Sequence, residues 1–319
     1  MPNTHASMSV MPSVWRPREI GEAYRMKQTV GESAVYAAGV TLLRTQWEAG
    51  TAAMPTHLID LSAIPMLSGY QLEQGELVIG ACCPLGALHK DPLVRSSSPL
   101  LAEAIRNIAA PSIRNLATLG GNVVSRIGDS LPALLAEEAE LIWLGMNGLQ
   151  AEPLSDWLAA DIGEQKGRLL VQIRLKASIA SVQAADGASG VKANHPGRID
   201  SAPSTNVRVY QKVGRREAFT PSVATLAISA EWEPVAGKLK ELRIAAGGGQ
   251  TIPSRLERTE RLLEGHADPL GEECAAEVHH AAMEEYMPVG DLFASSGYRK
   301  MTVANLLVAE LWRMRERFA

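Results

Sequence analysis

Ile113-Arg-Asn-Leu-Ala-Thr-Leu-Gly-Gly-Asn122 is the stretch on which the reading of this chain turns. Two adjacent glycines stand between Thr118 and Asn122, where the backbone must either take a positive φ or approach another surface closely. Only loops without bulky side chains let successive N–H groups converge on a diphosphate, and neighbouring hydroxyl and amide groups suit phosphate oxygens. Upstream, residues 99–110 place Leu100, Leu101, Ala104, Ile105 and Ile108 at helical spacing and leave Glu103 and Arg106 for solvent. Pro111 is expected to end that helix. Downstream, a helix over 130–139 is expected with Asp129 or Ser130 as its N-cap, followed by strands over 140–144 and 169–175.

Toward the N-terminus helix and strand signals alternate. Residues 17–28 carry Ile20, Ala23, Tyr24 and Met26 among charges, 34–38 read as a strand, 41–50 as a short helix or extended connection, and 57–60 as a buried strand. Gln74-Gly75-Glu76 is hairpin-like, and 77–81 reads as a further strand. Ala37-Ala-Gly-Val-Thr-Leu42 is a second glycine-bearing loop after an apolar run, with Thr41 as its hydroxyl. A third, Ala246-Gly-Gly-Gly249, lacks the GxGxxG spacing and meets Pro253 before any helix starts, so it is no Rossmann signature; a Walker A sequence is absent too. Residues 178–206 are rich in Ala, Ser, Gly, Asp and Pro and read as a linker. Strands over 207–213, 222–232 and 238–246 then precede helices over 255–264, 271–287 and 295–319, which predicts a separate α+β domain with a three-stranded antiparallel sheet.

Composition narrows the function classes. At 319 residues and 46% apolar, the chain can bury two or three cores. Its 31 basic and 35 acidic residues leave a charge of −4, against a nucleic-acid or anionic-lipid surface. No stretch approaches the roughly 18 apolar residues of a membrane span, and residues 1–12 lack a signal's basic and apolar regions; cytoplasmic placement is expected. Cys82, Cys83 and Cys274 form no CxxC, and a zinc site or iron-sulfur cluster takes about four soft ligands. They read as reduced, buried thiols. The seven histidines show no HExxH, GxSxG is absent, and Arg313, Arg315 and Arg317 suit a helix C-terminus better than nucleic acid.

An ordered set of segments carries a resemblance. After Ala37-Leu42 come Pro99-Leu-Leu-Ala-Glu-Ala104, Ile113-Arg-Asn115, Thr118-Leu-Gly-Gly-Asn122 and Asp129-Ser-Leu-Pro-Ala-Leu-Leu135. Lys212-Val-Gly-Arg-Arg216, Pro253-Ser-Arg255, Glu260-Arg-Leu-Leu-Glu-Gly265 and Ser295-Ser-Gly-Tyr-Arg299 follow. Together they resemble the FAD-binding medium subunit of the molybdenum hydroxylases, the xanthine dehydrogenase and carbon monoxide dehydrogenase family, over about residues 13–319. The resemblance implies a disordered extension over 1–12 and an α+β fold: a two-subdomain FAD domain of the vanillyl-alcohol-oxidase (PCMH) type, over 13–68 and 69–177. A linker (178–206) and a carbon monoxide dehydrogenase flavoprotein-like domain (207–319) would follow. It further implies a heteromeric oxidoreductase acting on an N-heterocycle or aldehyde. A large subunit would hold molybdopterin, a small subunit would hold iron-sulfur clusters, and this subunit's FAD would pass electrons to NAD or another acceptor. The runner-up is a flavin-poor assembly subunit of the same complex.

By position, the resemblance puts the FAD diphosphate on the backbone of Ala37, Ala38, Gly39, Val40, Thr41 and Leu42 and on Thr118, Gly121 and Asn122. Asp129 would sit near the ribityl or ribose hydroxyls, Ile108 and Ala109 along the cofactor channel, and Leu169 or Leu170 against the flavin. Lys212 would lie near the isoalloxazine, where a cation favours the reduced, anionic ring. No side chain need act as acid or base, since the redox chemistry belongs to the flavin, and no metal ligand is implied. Two departures stand out. The family usually has glycine, threonine and an acid or serine where this chain has Ala38, Val40 and Thr41, and the stretch from Asn122 to Asp129 is about two residues shorter than in longer members. A positive φ at Ala38 would cost about 1 kcal/mol.

Overall fold

The computed structural model describes residues 11–161, 163, 167–177, 205–214 and 222–318. The extension expected over 1–12 and the linker expected over 178–206 lie outside these residues except for their last two positions, as do Arg215 and Arg216.

Three sheets follow one another along the chain. The first is parallel, in the order β1-β3-β2, from β1 (Ser13–Trp15), β2 (Ala34–Ala37) and β3 (His57–Asp60). Parallel neighbours require crossovers, which the helices Ile20–Val30 and Thr41–Glu48 supply. Ala23, Ala34, Ile59, Leu61, Ile64 and Leu67 form its core together with Leu169 and Val171 of the next sheet.

That second sheet is antiparallel, in the order β4-β5-β8-β6-β7, built from β4 (Tyr70–Glu73), β5 (Glu76–Gly80), β6 (Glu140–Gly145), β7 (Gly148–Pro153) and β8 (Leu169–Lys176). Gln74 and Gly75, at φ 51° and 83°, close the β4–β5 hairpin with both central residues left-handed, as a right-twisted ribbon demands. Between β5 and β6 run six short helices, Leu85–Lys90, Pro92–Ser97, Pro99–Arg106, Pro111–Arg114, Leu119–Val124 and Leu131–Ala136, and the apolar faces of all but Pro111–Arg114 fill the central core. Two sequence expectations are corrected here. The helix predicted over 99–110 stops at Arg106, and Pro111 begins the next helix instead of ending this one; proline's fixed φ suits a first helical turn. The helix predicted over 130–139 runs only over Leu131–Ala136, with Ser130 as its N-cap, because Glu138 turns left-handed at φ 52°.

The third sheet has four strands, not the predicted three: β9 (Asn206–Gly214), β10 (Ser222–Glu233), β11 (Lys238–Gly248) and β12 (Thr251–Arg255), all antiparallel in the order β12-β11-β10-β9. Pro253 hid β12 in the sequence. A proline is tolerated there because β12 is an edge strand. Side chains of β10 alternate between two cores. Ala224, Leu226, Ile228 and Ala230 pack with the helices Glu257–Gly265, Glu272–Glu285 and Ser296–Phe318, whereas Ala227, with Ala245 of β11 and Tyr210 of β9, joins the central core. The wholly buried helix Leu131–Ala136 is thereby clamped between the two domains.

Cys82 and Cys83 follow β5 and are buried, as is Cys274. Burial pushes the Cys82 thiol up to about 12, with Cys83 adding to it, and lifts Cys83 and Cys274 to about 11. At pH 8 their thiolate fractions fall at least about a hundredfold below that of a free cysteine. A colorimetric thiol reagent should therefore leave the native chain untouched over minutes and titrate three thiols after denaturation. Prompt labelling of the native chain would contradict this packing. Among the described residues no helix is long and apolar enough to cross a membrane.

Candidate functional site

Strand β2 ends at Ala37, and the chain passes through Ala38, Gly39 and Val40 into the helix Thr41–Glu48. A Cβ on Gly39 would fall on the Leu116 carbonyl oxygen and lie 3.0 Å from the Ala117 Cα, so the two glycine-bearing segments touch backbone to backbone. The left-handed residue is Val40, at φ 56° and ψ 7°, not Ala38. A left-handed residue leading into a right-handed helix turns successive N–H groups toward one point, and the helix dipole adds positive potential there. No side chain caps this helix, and among the described residues no hydrogen bond uses the N–H of Gly39, Val40, Thr41 or Leu42. Four consecutive amides are thus left for an anion.

The second segment differs. Thr118 Oγ1 accepts from the Gly121 N–H at 3.1 Å, the Leu119 N–H donates to the Cys83 carbonyl at 3.0 Å, and the Gly120 N–H donates to Ala81 at 2.8 Å. Gly120 lacks a side chain because a Cβ would stand 2.5 Å from that same Ala81 oxygen. Gly120 thus serves close packing inside a helical turn, the Gly121 N–H is taken by Thr118, and the segment offers a ligand side-chain groups instead of amides. Asn122 Oδ1 accepts from the Ser130 N–H at 3.1 Å and the Ser130 hydroxyl at 2.6 Å, which fixes the side chain and leaves its NH2 to donate elsewhere.

Where the domains meet, Lys212 on β9 donates to Asp129 Oδ2 and to the Asn107 carbonyl, both at 2.8 Å. The Ser222 hydroxyl donates to Asp129 Oδ1 at 2.6 Å, and the Tyr210 hydroxyl donates to the Asp129 carbonyl at 2.7 Å. Burial, followed by the Asp129 charge, pushes the Tyr210 phenol well above its ordinary range. The Lys212 and Asp129 side chains are 9% and 15% exposed, so each is the other's main counter-charge. Lys212→Met should cost about 3 kcal/mol in denaturant unfolding because it strands a mostly buried carboxylate, and adding Asp129→Asn should restore most of the loss. Equal losses for the single and double variants would remove the pair's role.

Of the remaining candidates, Ile108 is buried in the central core, Ala109 is left-handed at φ 43°, Leu169 is buried in the first core and Leu170 in the central one. Tyr210, Ser222 and Asn107 gave no sequence signal; only the antiparallel pairing of β9 with β10 carries Lys212 and Ser222 to one carboxylate. Among the described residues no group of three or more His, Cys, Asp and Glu could hold a metal ion.

Residues 7–175 match the FAD binding domain in molybdopterin dehydrogenase, and residues 208–313 match the CO dehydrogenase flavoprotein C-terminal domain. The carbon monoxide dehydrogenase medium chain of Hydrogenophaga pseudoflava is 34% identical over 165 residues, 50% of this chain; the match spans only 57% of that protein's length. The nicotine 6-hydroxylase medium subunit of Paenarthrobacter nicotinovorans is 27% identical over 91% of this chain and 93% of its own. A chain in a solved structure of the Hydrogenophaga carbon monoxide dehydrogenase lacking the Mo-pyranopterin moiety superimposes with a TM-score of 0.79 at 26% identity, covering 93% of this chain and 95% of that one. With one match spanning the first two sheets and the other the third, this chain belongs to the molybdopterin dehydrogenase FAD-binding domain family, in its form with a CO dehydrogenase flavoprotein C-terminal domain.

Proposed function

We propose that this chain is the FAD-binding, electron-transferring subunit of a heteromeric molybdenum hydroxylase. In that assembly a molybdopterin-binding large subunit hydroxylates the substrate, and an iron-sulfur small subunit relays the electrons. This subunit passes them on to NAD or another acceptor. The complex works in the cytoplasm and needs neither nucleic acid nor a membrane span. The observation that carries the reading is the run of four acceptorless amides at Gly39–Leu42, seated by Gly39 against Leu116 and Ala117 within a matched FAD-binding domain.

FAD, when bound, supplies the redox chemistry. The chain's own residues bind and orient it. The Gly39–Leu42 amides hold the diphosphate, with the Thr118 hydroxyl and the Asn122 NH2 beside them. Lys212 is paired with Asp129, so its charge holds the domains in register more than it favours an anionic ring. A second reading, a flavin-poor assembly subunit, draws on Val40: a β-branched residue in the left-handed region is strained, and here it sits in the cradle itself.

The separating measurement is the visible spectrum of the purified chain, with released flavin quantified after denaturation. Near-stoichiometric FAD supports the electron-transfer role. A chain that rejects added FAD yet copurifies with molybdenum and iron-sulfur subunits supports the assembly role.

A further inference from the structure

The helix Pro99–Arg106 ends in a turn whose four successive carbonyls, from Arg106 to Ala109, all face cations from other elements. Arg114 Nη1 donates to the Arg106, Ile108 and Ala109 carbonyls at 3.3, 2.7 and 2.6 Å, and Lys212 takes the Asn107 carbonyl between them at 2.8 Å. A helix C-terminus carries unsatisfied carbonyls and negative potential, so cations belong there. This turn goes further, since its carbonyls continue inward past the helix end at the expense of a left-handed Ala109.

A trans peptide points its N–H opposite to its C=O. With the Ile108 and Ala109 carbonyls drawn onto Arg114, the N–H groups of Ala109 and Ala110 face away from it. Among the described residues no hydrogen bond uses either of those N–H groups. The turn also connects to the diphosphate cradle: the Arg114 N–H donates to the Ala110 carbonyl at 2.9 Å, and Leu116 and Ala117, just beyond, are the backbone on which Gly39 rests.

We propose that Arg114 is a positioning residue for the cofactor: it holds the Asn107–Ala110 turn so that the Ala109 and Ala110 amides present two adjacent donors to acceptor atoms of the flavin ring. This rests on the FAD reading above. Arg114 touches no cofactor itself; it acts through the carbonyls it draws in. A lysine in its place is shorter and brings a compact point charge instead of a planar guanidinium, so its reach and donor directions differ.

The test compares wild type with Arg114→Ala, Arg114→Lys and the neighbouring control Arg106→Ala, whose side chain is 62% exposed and, among the described residues, pairs only with Glu103 on its own helix turn. Three readouts are taken: the FAD dissociation constant, the visible absorption and circular dichroism of bound flavin, and amide hydrogen exchange over 107–110 in the flavin-free chain. Arg114→Ala should weaken FAD at least tenfold, alter the flavin bands and speed exchange at least tenfold at Asn107 and Ile108, whose N–H groups donate to the Ala104 and Ile105 carbonyls at 3.1 and 3.0 Å. Arg114→Lys should fall between, and Arg106→Ala should match wild type. Should Arg114→Ala bind FAD with wild-type affinity and wild-type flavin bands, the proposal is overturned while the FAD reading stands. A wild-type chain that binds no FAD overturns both, and the exchange measurement then still reports whether Arg114 holds the turn. If Arg114→Ala does not fold, Arg114→Lys carries the test: wild-type flavin bands and affinity with accelerated exchange overturn the positioning role, and altered bands support it.

Discussion

Gly39→Ala is expected to abolish measurable FAD binding and to lower stability by about 2–4 kcal/mol, the size of a backbone-level clash that side-chain rotation cannot relieve. The added methyl would overlap the Leu116 carbonyl oxygen and press on the Ala117 Cα. Both neighbours are main chain: the Leu116 and Ala117 N–H groups donate to the Ile113 carbonyl, and the Ala117 carbonyl accepts from Leu85, so the segment cannot yield locally. The two segments must separate, which dismantles the site even if the domain stays folded. Titration with FAD, followed by flavin fluorescence alongside urea unfolding, reads both effects. Gly21→Ala is the matched control. A Cβ there meets nothing nearer than an Arg25 nitrogen at 3.8 Å within the helix Ile20–Val30, and the change should stabilise by about 0.5–1 kcal/mol. Next to Gly39, Val40→Gly should relieve the left-handed strain and stabilise by about 1 kcal/mol. Gly39→Ala binding FAD normally would mean that the contact between the loops is dispensable.

Arg299→Leu is the second large effect. The guanidinium is 1% exposed, pairs with Asp291 at 2.5 Å and donates to the Val223 carbonyl; Gly249, at φ 62°, leaves the space it fills. Asp291 in turn accepts from the Phe293 and Ala294 amides at 2.9 and 3.0 Å. Removing the cation leaves the buried Val223 carbonyl without its donor and takes from Asp291 one of its three partners, for about 3 kcal/mol, with the loss confined to the C-terminal domain. The Phe293 amide first, and Arg299 with it, hold the Asp291 carboxyl below its ordinary value against the opposing effect of burial. A carboxyl lowered in the folded state stabilises above its unfolded pKa and ceases to do so as acid titrates it, so wild type should lose this contribution below about pH 4. The Arg299→Leu variant should lose less across that range. Melting curves between pH 3 and 7 check both statements, and unchanged unfolding at pH 7 would refute the role assigned to Arg299.

Elements with strong apolar periodicity were legible in the sequence. The strands at His57–Asp60 and Leu169–Lys176 and the three helices that close the chain fall where the pattern places them to within a few residues, because each buries one face or is covered on both. Short elements were not. The strand Ser13–Trp15, the hairpin partner Gly148–Pro153 and the edge strand Thr251–Arg255 owe their conformation to a neighbour's hydrogen bonds, and nothing in three to six residues encodes that neighbour. The small helices Leu85–Lys90, Pro92–Ser97 and Leu154–Ala159 were missed for a similar reason: one or two turns are stable only against the central core.

The candidate site divides along the same line. The family was legible in the residues alone, through glycines and polar groups in a fixed order, because backbone bare of side chains is specified locally. Only the packed fold shows what stands against each glycine. Gly39 seats one segment on another, whereas Gly120 and Gly128 are small because Ala81 and Asn122 stand where a Cβ would go. It also decided that Asp129 and Lys212 face each other. The physical reason is range: a backbone conformation is set by the residue and its neighbours, but the partner of a buried charge is whatever the fold brings within about 3 Å, and that distance is fixed only when separate sheets pack.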